Sequence, residues 1–191
     1  MRKLGSILFS LITCSLLRAQ EVELSVQTGH TASVTDVKFS NDDQFVFSAS
    51  KDHKVIVWDI HSSKQYKVLK GHEDDVTSIS VHPTQNHILY SSSLDSTIIE
   101  WDFLSGKPLR KFELQYPVQA IQVEKDGQLL MTAGEKIEII TLSSGAIDGI
   151  NIQPKKSFST LAIADDNSSL ILGGYGEPIA YHIDLVDFKI I

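Results

Sequence analysis

Histidine, serine and aspartate recur together in two segments of the chain, and these side chains can hydrolyse a bond when they form a triad. In a triad the aspartate orients the histidine, and the histidine takes a proton from the serine, which attacks the substrate. Two sets share these residue types and nearly the same spacing: His30, Ser48 and Asp52, and His72, Ser91 and Asp95. Because an enzyme needs one nucleophile in one pocket, the repetition favours a structural role over catalysis.

The same two dipeptides accompany each set. Gly29-His30 and Gly71-His72 are 42 residues apart, and Trp58-Asp59 and Trp101-Asp102 are 43 residues apart. Either dipeptide alone carries little information. Both together, twice and at one period, indicate a repeated structural unit.

Four segments with one apolar pattern begin at intervals of 42, 42 and 40 residues. Their apolar residues alternate with polar ones, as in half-buried β-strands: 34–39, 76–81, 118–123 and 158–163. Turn-forming residues follow each segment, and three further short strands are predicted after each turn. The sequence therefore predicts an all-β array of four repeats, near 29–70, 71–113, 114–152 and 153–191.

With both dipeptides present twice at this period, the sequence resembles the WD-repeat β-propeller family. The resemblance implies four-stranded antiparallel blades, of which about four are present, as an incomplete or unusually small ring. It also implies that the tryptophan N–H donates to a serine, which bonds a histidine that is held by an aspartate. The implied structural networks are Trp58–Ser48–His30–Asp52 and Trp101–Ser91–His72–Asp95, with Ser50 and Ser93 as alternative hydroxyls.

The later repeats keep the apolar frame and lose the polar network. In the third repeat Ile140 aligns with the tryptophan, Gly134 with the aspartate and Leu114 with the histidine, and in the fourth His182 aligns with the tryptophan. Residues 22–27 are expected to form an outer strand of the blade that closes the ring. Ring closure has three interpretations: the chain is the N-terminal part of a longer protein, which is favoured, two chains complete one ring, or the ring has four blades.

Composition restricts the classes of protein that remain. The chain has 191 residues, 42% apolar residues, a net charge of −7 and one cysteine. These values predict one folded domain and exclude a disordered chain and a disulfide framework. The acidic charge, without any basic run, argues against nucleic acid as a partner. No internal apolar run reaches the roughly 18 residues that a membrane helix needs.

The first 19 residues have the layout of a secretory signal peptide. Arg2 and Lys3 precede an apolar stretch that ends near Leu17, and cleavage is expected after Ala19. An exported protein, periplasmic or secreted, is therefore predicted. Two alternatives remain: a short helix buried in the domain, and a lipoprotein anchored through Cys14.

The resemblance implies a non-catalytic scaffold that binds a protein or peptide. Its docking surface would be the loops before the first strand and between the second and third strands of each blade. This loop face comprises Thr31, Ala32, Ser33, Lys51, His53, Glu73, Asp74, Asp75, Leu94 and Ser96. Three acidic residues in it favour a basic partner.

Two other functions remain open at this stage. The first is the propeller domain of a larger secreted hydrolase or peptidase, whose catalytic part would lie outside this chain. The second is an enzyme that acts in the central funnel. Against metal chemistry, four histidines fall on separate loops without ligand spacing: His53, His61, His82 and His87. The sequence predicts no cofactor and no metal.

Overall fold

Sixteen β-strands make up the regular structure of the part of the chain that the computed structural model describes, residues 29–150, 157–174, 180–185 and 189–190. The first sheet contains β1 (Val34–Phe39), β2 (Phe45–Ser50), β3 (Lys54–Asp59) and β4 (Lys64–Lys70). The second contains β5 (Val76–Val81), β6 (Ile88–Ser93), β7 (Thr97–Asp102) and β8 (Lys107–Glu113). The third contains β9 (Val118–Val123), β10 (Leu129–Gly134), β11 (Ile137–Thr141) and β12 (Ala146–Ile150). The fourth contains β13 (Phe158–Ile163), β14 (Ser169–Gly174), β15 (Ala180–Asp184) and β16 (Lys189–Ile190).

Each sheet is an antiparallel meander in which strands pair in chain order. The first hairpin of every sheet has a register shift at the same end, for example between Val34 and Asp36 and between Val76 and Ser78. Four sheets of one topology, with no helix among the described residues, confirm the predicted all-β propeller of about four blades. The predicted segments 1–19 and 22–27 lie outside the described residues.

The four sheets follow one another in an arc, and neighbouring sheets meet at their first strands, which line its axis. β1 packs against β5, β5 against β9 and β9 against β13. The hydroxyl of Thr35 donates to the carbonyl of Val76 at 2.6 Å, and Thr77 donates to Val118 at 2.7 Å in the same way. A threonine in the first strand of the first and second sheets thus ties each of these sheets to the next one. Among the described residues, the first and fourth sheets do not pack against each other.

The core lies between the faces of successive sheets. Trp101 of the second sheet is 1% exposed and belongs to one cluster with Phe47, Val57 and Leu69 of the first sheet. Two further clusters fill the space between the second and third sheets and between the third and fourth. Each sheet therefore buries its apolar side chains only against its neighbours, as in other repeat architectures.

The register corrects two alignments made from the sequence. Trp58 and Trp101 lie opposite Val46 and Leu89, and the equivalent pairs in the later sheets are Leu130 with Ile140 and Leu170 with Ile183. Ile183, which is 1% exposed, therefore occupies the tryptophan position of the fourth sheet, whereas the alignment had placed His182 there.

The second correction concerns Gly134. It pairs with Val118 as Ser50 pairs with Val34 and Ser93 with Val76, so it occupies the position of Ser50 and Ser93 and not the aspartate position. The alignment failed because the turn after β10 is one residue shorter than the turns after β2 and β6.

The glycine before each histidine has a steric reason. A Cβ on Gly71 would lie 2.9 Å from the Cη2 atom of Trp101 and 3.1 Å from the Cδ1 atom of Ile99. A Cβ on Gly29 would lie 2.5 Å from the same atom of Trp58. Both contacts are shorter than van der Waals separation, so the indole fits only because these residues have no side chain.

Gly71→Ala is expected to lower the free energy of unfolding by about 1–3 kcal/mol, the usual cost of overpacking. Gly149→Ala is the matched control, since a Cβ there has no neighbour within 4 Å. Thermal unfolding followed by circular dichroism measures both. Equal melting temperatures for the two variants would contradict the steric argument.

Candidate functional site

The first polar set forms a continuous chain of hydrogen bonds. Trp58 Nε1 donates to Ser48 Oγ at 2.8 Å, and the same oxygen lies 2.8 Å from His30 Nε2. His30 Nδ1 lies 3.0 Å from Asp52 Oδ2. Because an indole N–H only donates and a carboxylate only accepts, we assign the histidine proton to Nδ1 and the serine proton to the bond with Nε2.

The second set repeats this geometry with a more buried centre. Trp101 Nε1 and His72 Nε2 each lie 2.8 Å from Ser91 Oγ, and His72 Nδ1 lies 3.0 Å from Asp95 Oδ2. Thr97 adds a hydroxyl that donates to Asp95 at 2.6 Å. The structure therefore brings together both sets that the sequence predicted.

The aspartates fix the loops as well as the histidines. Asp52 accepts the backbone N–H of Thr31 at 3.0 Å, from the loop before β1, and that of Lys54 at 3.2 Å, at the start of β3. Asp95 accepts the backbone N–H groups of Glu73 and Thr97 at 2.9 Å each. One carboxylate in each of the first two sheets thus joins the two loops of one end.

These contacts determine the charge of both aspartates. Burial raises the pKa of Asp52, but hydrogen bonds from the Thr31 backbone and His30 outweigh it and leave the pKa below its ordinary value of 3.8. Burial likewise opposes the bonds from Thr97 and Glu73 to Asp95, and its pKa is again lowered. Both carboxylates are therefore ionised at neutral pH.

His72 is held in its neutral form. Burial lowers its pKa below the ordinary 6.5, and this effect exceeds the opposite effect of the charge on Asp95. A neutral imidazole is the form that accepts a proton from Ser91 and donates one to Asp95, so the electrostatics agree with the assigned bond directions.

The alternative hydroxyls have a different role. Ser50 Oγ donates to the carbonyl of Ala32 at 3.2 Å and accepts the N–H of Asp52 at 3.1 Å. Ser93 makes the equivalent bonds to Asp74 and Asp95 at 3.1 Å each. These serines therefore hold the loops together, and neither has a recorded bond to an indole.

The two serines of the triad-like sets are poorly placed to attack a substrate. Ser91 is fully buried, and its hydroxyl oxygen already bonds both Trp101 and His72. Ser48 is 6% exposed, beneath a cavity of about 440 Å³ on the open face of the first sheet. Its oxygen also accepts the indole N–H of Trp58, so it is less able to act as a nucleophile.

The predicted loop face forms one end of the first two sheets. The backbone N–H of Lys51 donates to Ser33 and that of Leu94 donates to Asp75, both at 3.0 Å, so the two loops of each sheet lie side by side. Lys51 Nζ lies 3.3 Å from a carboxylate oxygen of Asp75, which connects the loops of neighbouring sheets. Three residues of the loop face are half-buried: Asp75, Leu94 and Ser96. The other seven are exposed: Thr31, Ala32, Ser33, Lys51, His53, Glu73 and Asp74.

One group in the loop face has the composition of a metal site. Single ligand atoms of His53, Asp74 and Asp75 lie within 4.8 Å of one another. His53 and Asp74 are exposed, and Asp75 already bonds Lys51, whose positive charge disfavours a cation. The remaining three histidines of the sequence analysis, His61, His82 and His87, belong to no such group among the described residues.

Sequence reasoning missed a buried acid between the second and third sheets. Glu100 is 7% exposed and accepts a hydrogen bond from Arg110, which also donates to the carbonyl of Leu142 in the third sheet. Burial, followed by the charge on Glu100, raises the pKa of Tyr90. The signal that could have revealed the pair is the register, because Glu100 and Arg110 lie directly opposite each other on β7 and β8.

Ser91→Ala is expected to destabilise the chain by about 1–3 kcal/mol, because it leaves a buried indole N–H without an acceptor. For a chain of this size that corresponds to a fall in melting temperature of about 2–4 °C for each kcal/mol. Ser143→Ala, at an exposed turn position, is the matched control. A loss at Ser143 as large as the loss at Ser91 would refute the buried-network explanation.

Stability is expected to fall in two stages as the pH is lowered. Since folding lowers the pKa of His72, its contribution is present above pH 6.5 and is lost as the pH falls below that value. Because the pKa values of Asp52 and Asp95 are also lowered, their contribution is present above pH 3.8 and is lost below it.

Urea unfolding at stepped pH values measures both stages. His72→Gln should flatten the dependence below pH 6.5, whereas His61→Gln, at an exposed position, should leave it unchanged. Identical pH profiles for wild type and His72→Gln would overturn the assignment to His72.

The sequence matches a known family over more than half of its length. Residues 38–139 match the family described as the first β-propeller of WD repeat-containing protein 75. The matched range contains the second sheet complete and most of the first and third.

Named relatives extend this similarity. The chain is 32% identical over 109 residues to eukaryotic translation initiation factor 3 subunit I of Neurospora crassa, which covers 57% of this chain and 31% of the relative. It is 28% identical over 173 residues to pre-mRNA-splicing factor cwf17 of Schizosaccharomyces pombe, which covers 86% of this chain and 51% of the relative. The chain thus spans about a third to a half of the length of these relatives.

The predicted export is wrong. The relatives are factors of translation initiation and pre-mRNA splicing, which take place inside the cell. The same finding overturns the predicted signal peptide, the secreted or periplasmic location and the alternative of a lipoprotein anchored through Cys14. These predictions came from residues 1–19, which lie outside the described residues. Among the described residues no helix is long and apolar enough to cross a membrane.

The relatives also bear on function at a coarse level. Both are named as factors and neither as a hydrolase, so the propeller of a secreted hydrolase has no support. The family match, the four antiparallel sheets and the relatives agree with one another. The chain belongs to the WD-repeat β-propeller family.

Proposed function

We propose that the chain is a non-catalytic scaffold that binds a protein or peptide partner through the loop face. The observation that carries the proposal is the fixing of these loops by buried groups. Asp52 and Asp95 accept backbone N–H groups from both loops of their sheets, and Ser50 and Ser93 bond the backbone of the loops before β1 and β5. The backbone of such loops is held in place before binding, which reduces the entropy cost of association.

The charge of the loop face favours a basic partner. Glu73, Asp74 and Asp75 lie in one loop, and Lys51 pairs with Asp75 alone. Glu73 and Asp74 are exposed and form no ion pair with another described residue, although Asp74 accepts the backbone N–H of Asp75 at 2.7 Å. An arginine or lysine of a partner would therefore meet two carboxylates on a rigid loop, which favours rapid association and the rejection of acidic partners.

The names of the relatives support a role in an assembly. One is named a subunit of a translation initiation factor, and another a splicing factor. The proposed setting is correspondingly inside the cell. The absence of nucleic acid among the partners stays a prediction from the acidic net charge of −7.

The absence of catalysis is part of the proposal. Each serine oxygen of the triad-like sets accepts an indole N–H. Ser91 is fully buried, and Ser48 is 6% exposed at the cavity of the first sheet. A hydroxyl whose oxygen accepts an indole N–H is less available for attack on a substrate.

Substitution of Glu73 and Asp74, the two carboxylates of the loop face without an ion pair, tests the proposal. Glu73→Gln combined with Asp74→Asn should weaken the partner complex about tenfold, because a lost charge-assisted bond is worth about 1.5–3 kcal/mol. The full chain would be cross-linked through lysines in cells, the partner identified by mass spectrometry, and its affinity measured with purified components. Intermolecular cross-links should concentrate at Lys51.

Glu113→Gln combined with Asp148→Asn is the matched control, since both residues are exposed carboxylates on β8 and β12. These changes should leave the affinity unaltered. Equal weakening by both pairs, or cross-links confined to lysines of the outer strands, would reject the loop face as the docking surface.

A further inference from the structure

The outer strands of the first two sheets carry an excess of positive charge that the chain as a whole does not have. The chain contains 24 acidic and 17 basic residues. In contrast, β4 and β8 contain one acid, Glu113, and six basic residues: Lys64, Lys67, Lys70, Lys107, Arg110 and Lys111. The two strands therefore form a local basic surface on an acidic protein.

The lysines of this surface are not neutralised by the described part of the chain. Ion pairs of lysine and arginine between described residues involve Lys38, Lys51, Lys54 and Arg110. Of the lysines on β4 and β8, Lys67 is half-buried and the other four are exposed. Their charges are thus available to an acidic group from outside.

Strand register places two of these lysines on the facing sides of the first and second sheets. Lys67 lies opposite Val57, and Lys111 lies opposite Ile99. Side chains directly opposite each other on paired strands share one face of a sheet. Because Val57 and Ile99 belong to the core between these two sheets, both lysines lie at the outer margin of that core. The Cδ atom of Lys67 is 3.5 Å from the Cβ position of Gly106, in the turn before β8, so its stem reaches the second sheet.

Tyr66 adds an apolar wall beside these charges. Its ring packs against Phe45 with centroids 5.1 Å apart, and Phe45 packs against Phe103 of the second sheet at 5.6 Å. Tyr66 is nevertheless 43% exposed, and Lys67 Nζ lies 5.7 Å from its ring centroid. The space between β4 and β8 that is lined by Tyr66, Lys67 and Lys111 is called the rim groove below. It combines an exposed aromatic ring with two cations that have no ion pair among the described residues.

We propose that the rim groove binds an acidic peptide segment of a partner protein. Both of its walls belong to the continuous described range 29–150, so they are set by sheets that pack against each other within the described structure. Carboxylates of the segment would bond Lys67 and Lys111, and an apolar side chain would pack on Tyr66. Charge complementarity of this kind selects acidic partners, which is the reverse of the selection at the loop face.

The charge distribution favours a peptide over a nucleic acid. Affinity for nucleic acid depends on many phosphate contacts, and a net charge of −7 opposes a long phosphate chain. The rim groove offers few such contacts. Lys64 lies opposite Asp59, and by register Lys70 and Lys107 lie on the other sides of their strands.

An array of octapeptides tests the proposal, with two to four glutamates at every spacing among valine, leucine, tyrosine and serine, and a glutamine counterpart of each peptide. The tagged full chain should bind glutamate peptides and not their glutamine counterparts. Fluorescence anisotropy then measures the dissociation constant of the best peptide. Lys67→Met combined with Lys111→Met should raise this constant about tenfold, because methionine keeps an apolar stem and removes the charge.

Lys70→Met combined with Lys107→Met is the matched control, since it removes equal charge from the same two strands outside the rim groove. This control should leave the dissociation constant unchanged. Glu73→Gln combined with Asp74→Asn should not weaken the peptide either, so the loop face and the rim groove can fail separately. Thermal unfolding followed by circular dichroism checks that every variant folds.

Three results would overturn the proposal. The first is equal binding of glutamate and glutamine peptides, or equal weakening by the two pairs of lysine substitutions. The second is tighter binding of an oligouridylate than of any peptide, abolished by Lys67→Met with Lys111→Met, which would make the groove a nucleic-acid surface. The third is a dimer in sedimentation velocity that the same two substitutions dissociate, which would assign the groove to a second copy of the chain.

Discussion

The hydrogen bond from an indole N–H to a buried serine hydroxyl is the contact on which the first two sheets depend. It determines which way the serine proton points, and through the histidine it determines where the aspartate must lie. The aspartate in turn holds the backbone of two loops. A contact inside the sheet therefore influences the shape of a surface, because successive hydrogen bonds link the indole to the aspartate and the aspartate to the loops.

Much of this arrangement could be predicted from the sequence, because a repeat supplies its own internal comparison. The four strands of each sheet follow from the alternation of apolar residues and the turns between them, and both polar sets follow from dipeptides at one period. Two positions were misplaced. The shorter turn after β10 shifted Gly134, and His182 was placed one residue from the tryptophan position, which Ile183 occupies. An alignment by residue spacing depends on the lengths of turns as well as strands, whereas an alignment by strand register depends only on which residues pair.

The buried pair of Glu100 and Arg110 shows a second limit of sequence reasoning. Two charged residues on adjacent strands have the composition of a solvated surface, and only their opposition across β7 and β8 shows that they meet. Arg110 also reaches the carbonyl of Leu142, so this pair joins the last sheet that has a polar network to the first sheet that lacks one. The wrong prediction of export has a different cause. A basic start followed by an apolar stretch is a general feature of sequence, and the relatives are factors of translation initiation and pre-mRNA splicing.

The close approach of Trp58 and Trp101 to Gly29 and Gly71 makes the two signature dipeptides mutually dependent. An indole at that position tolerates only hydrogen at the α-carbon facing it, and once a smaller side chain replaces the indole the glycine loses its steric purpose. The third repeat fits this dependence: Ile140 stands in place of the indole, and no Gly-His dipeptide precedes that sheet. A sheet without the indole therefore has no steric need for the glycine, and the third sheet keeps its packed core without either dipeptide.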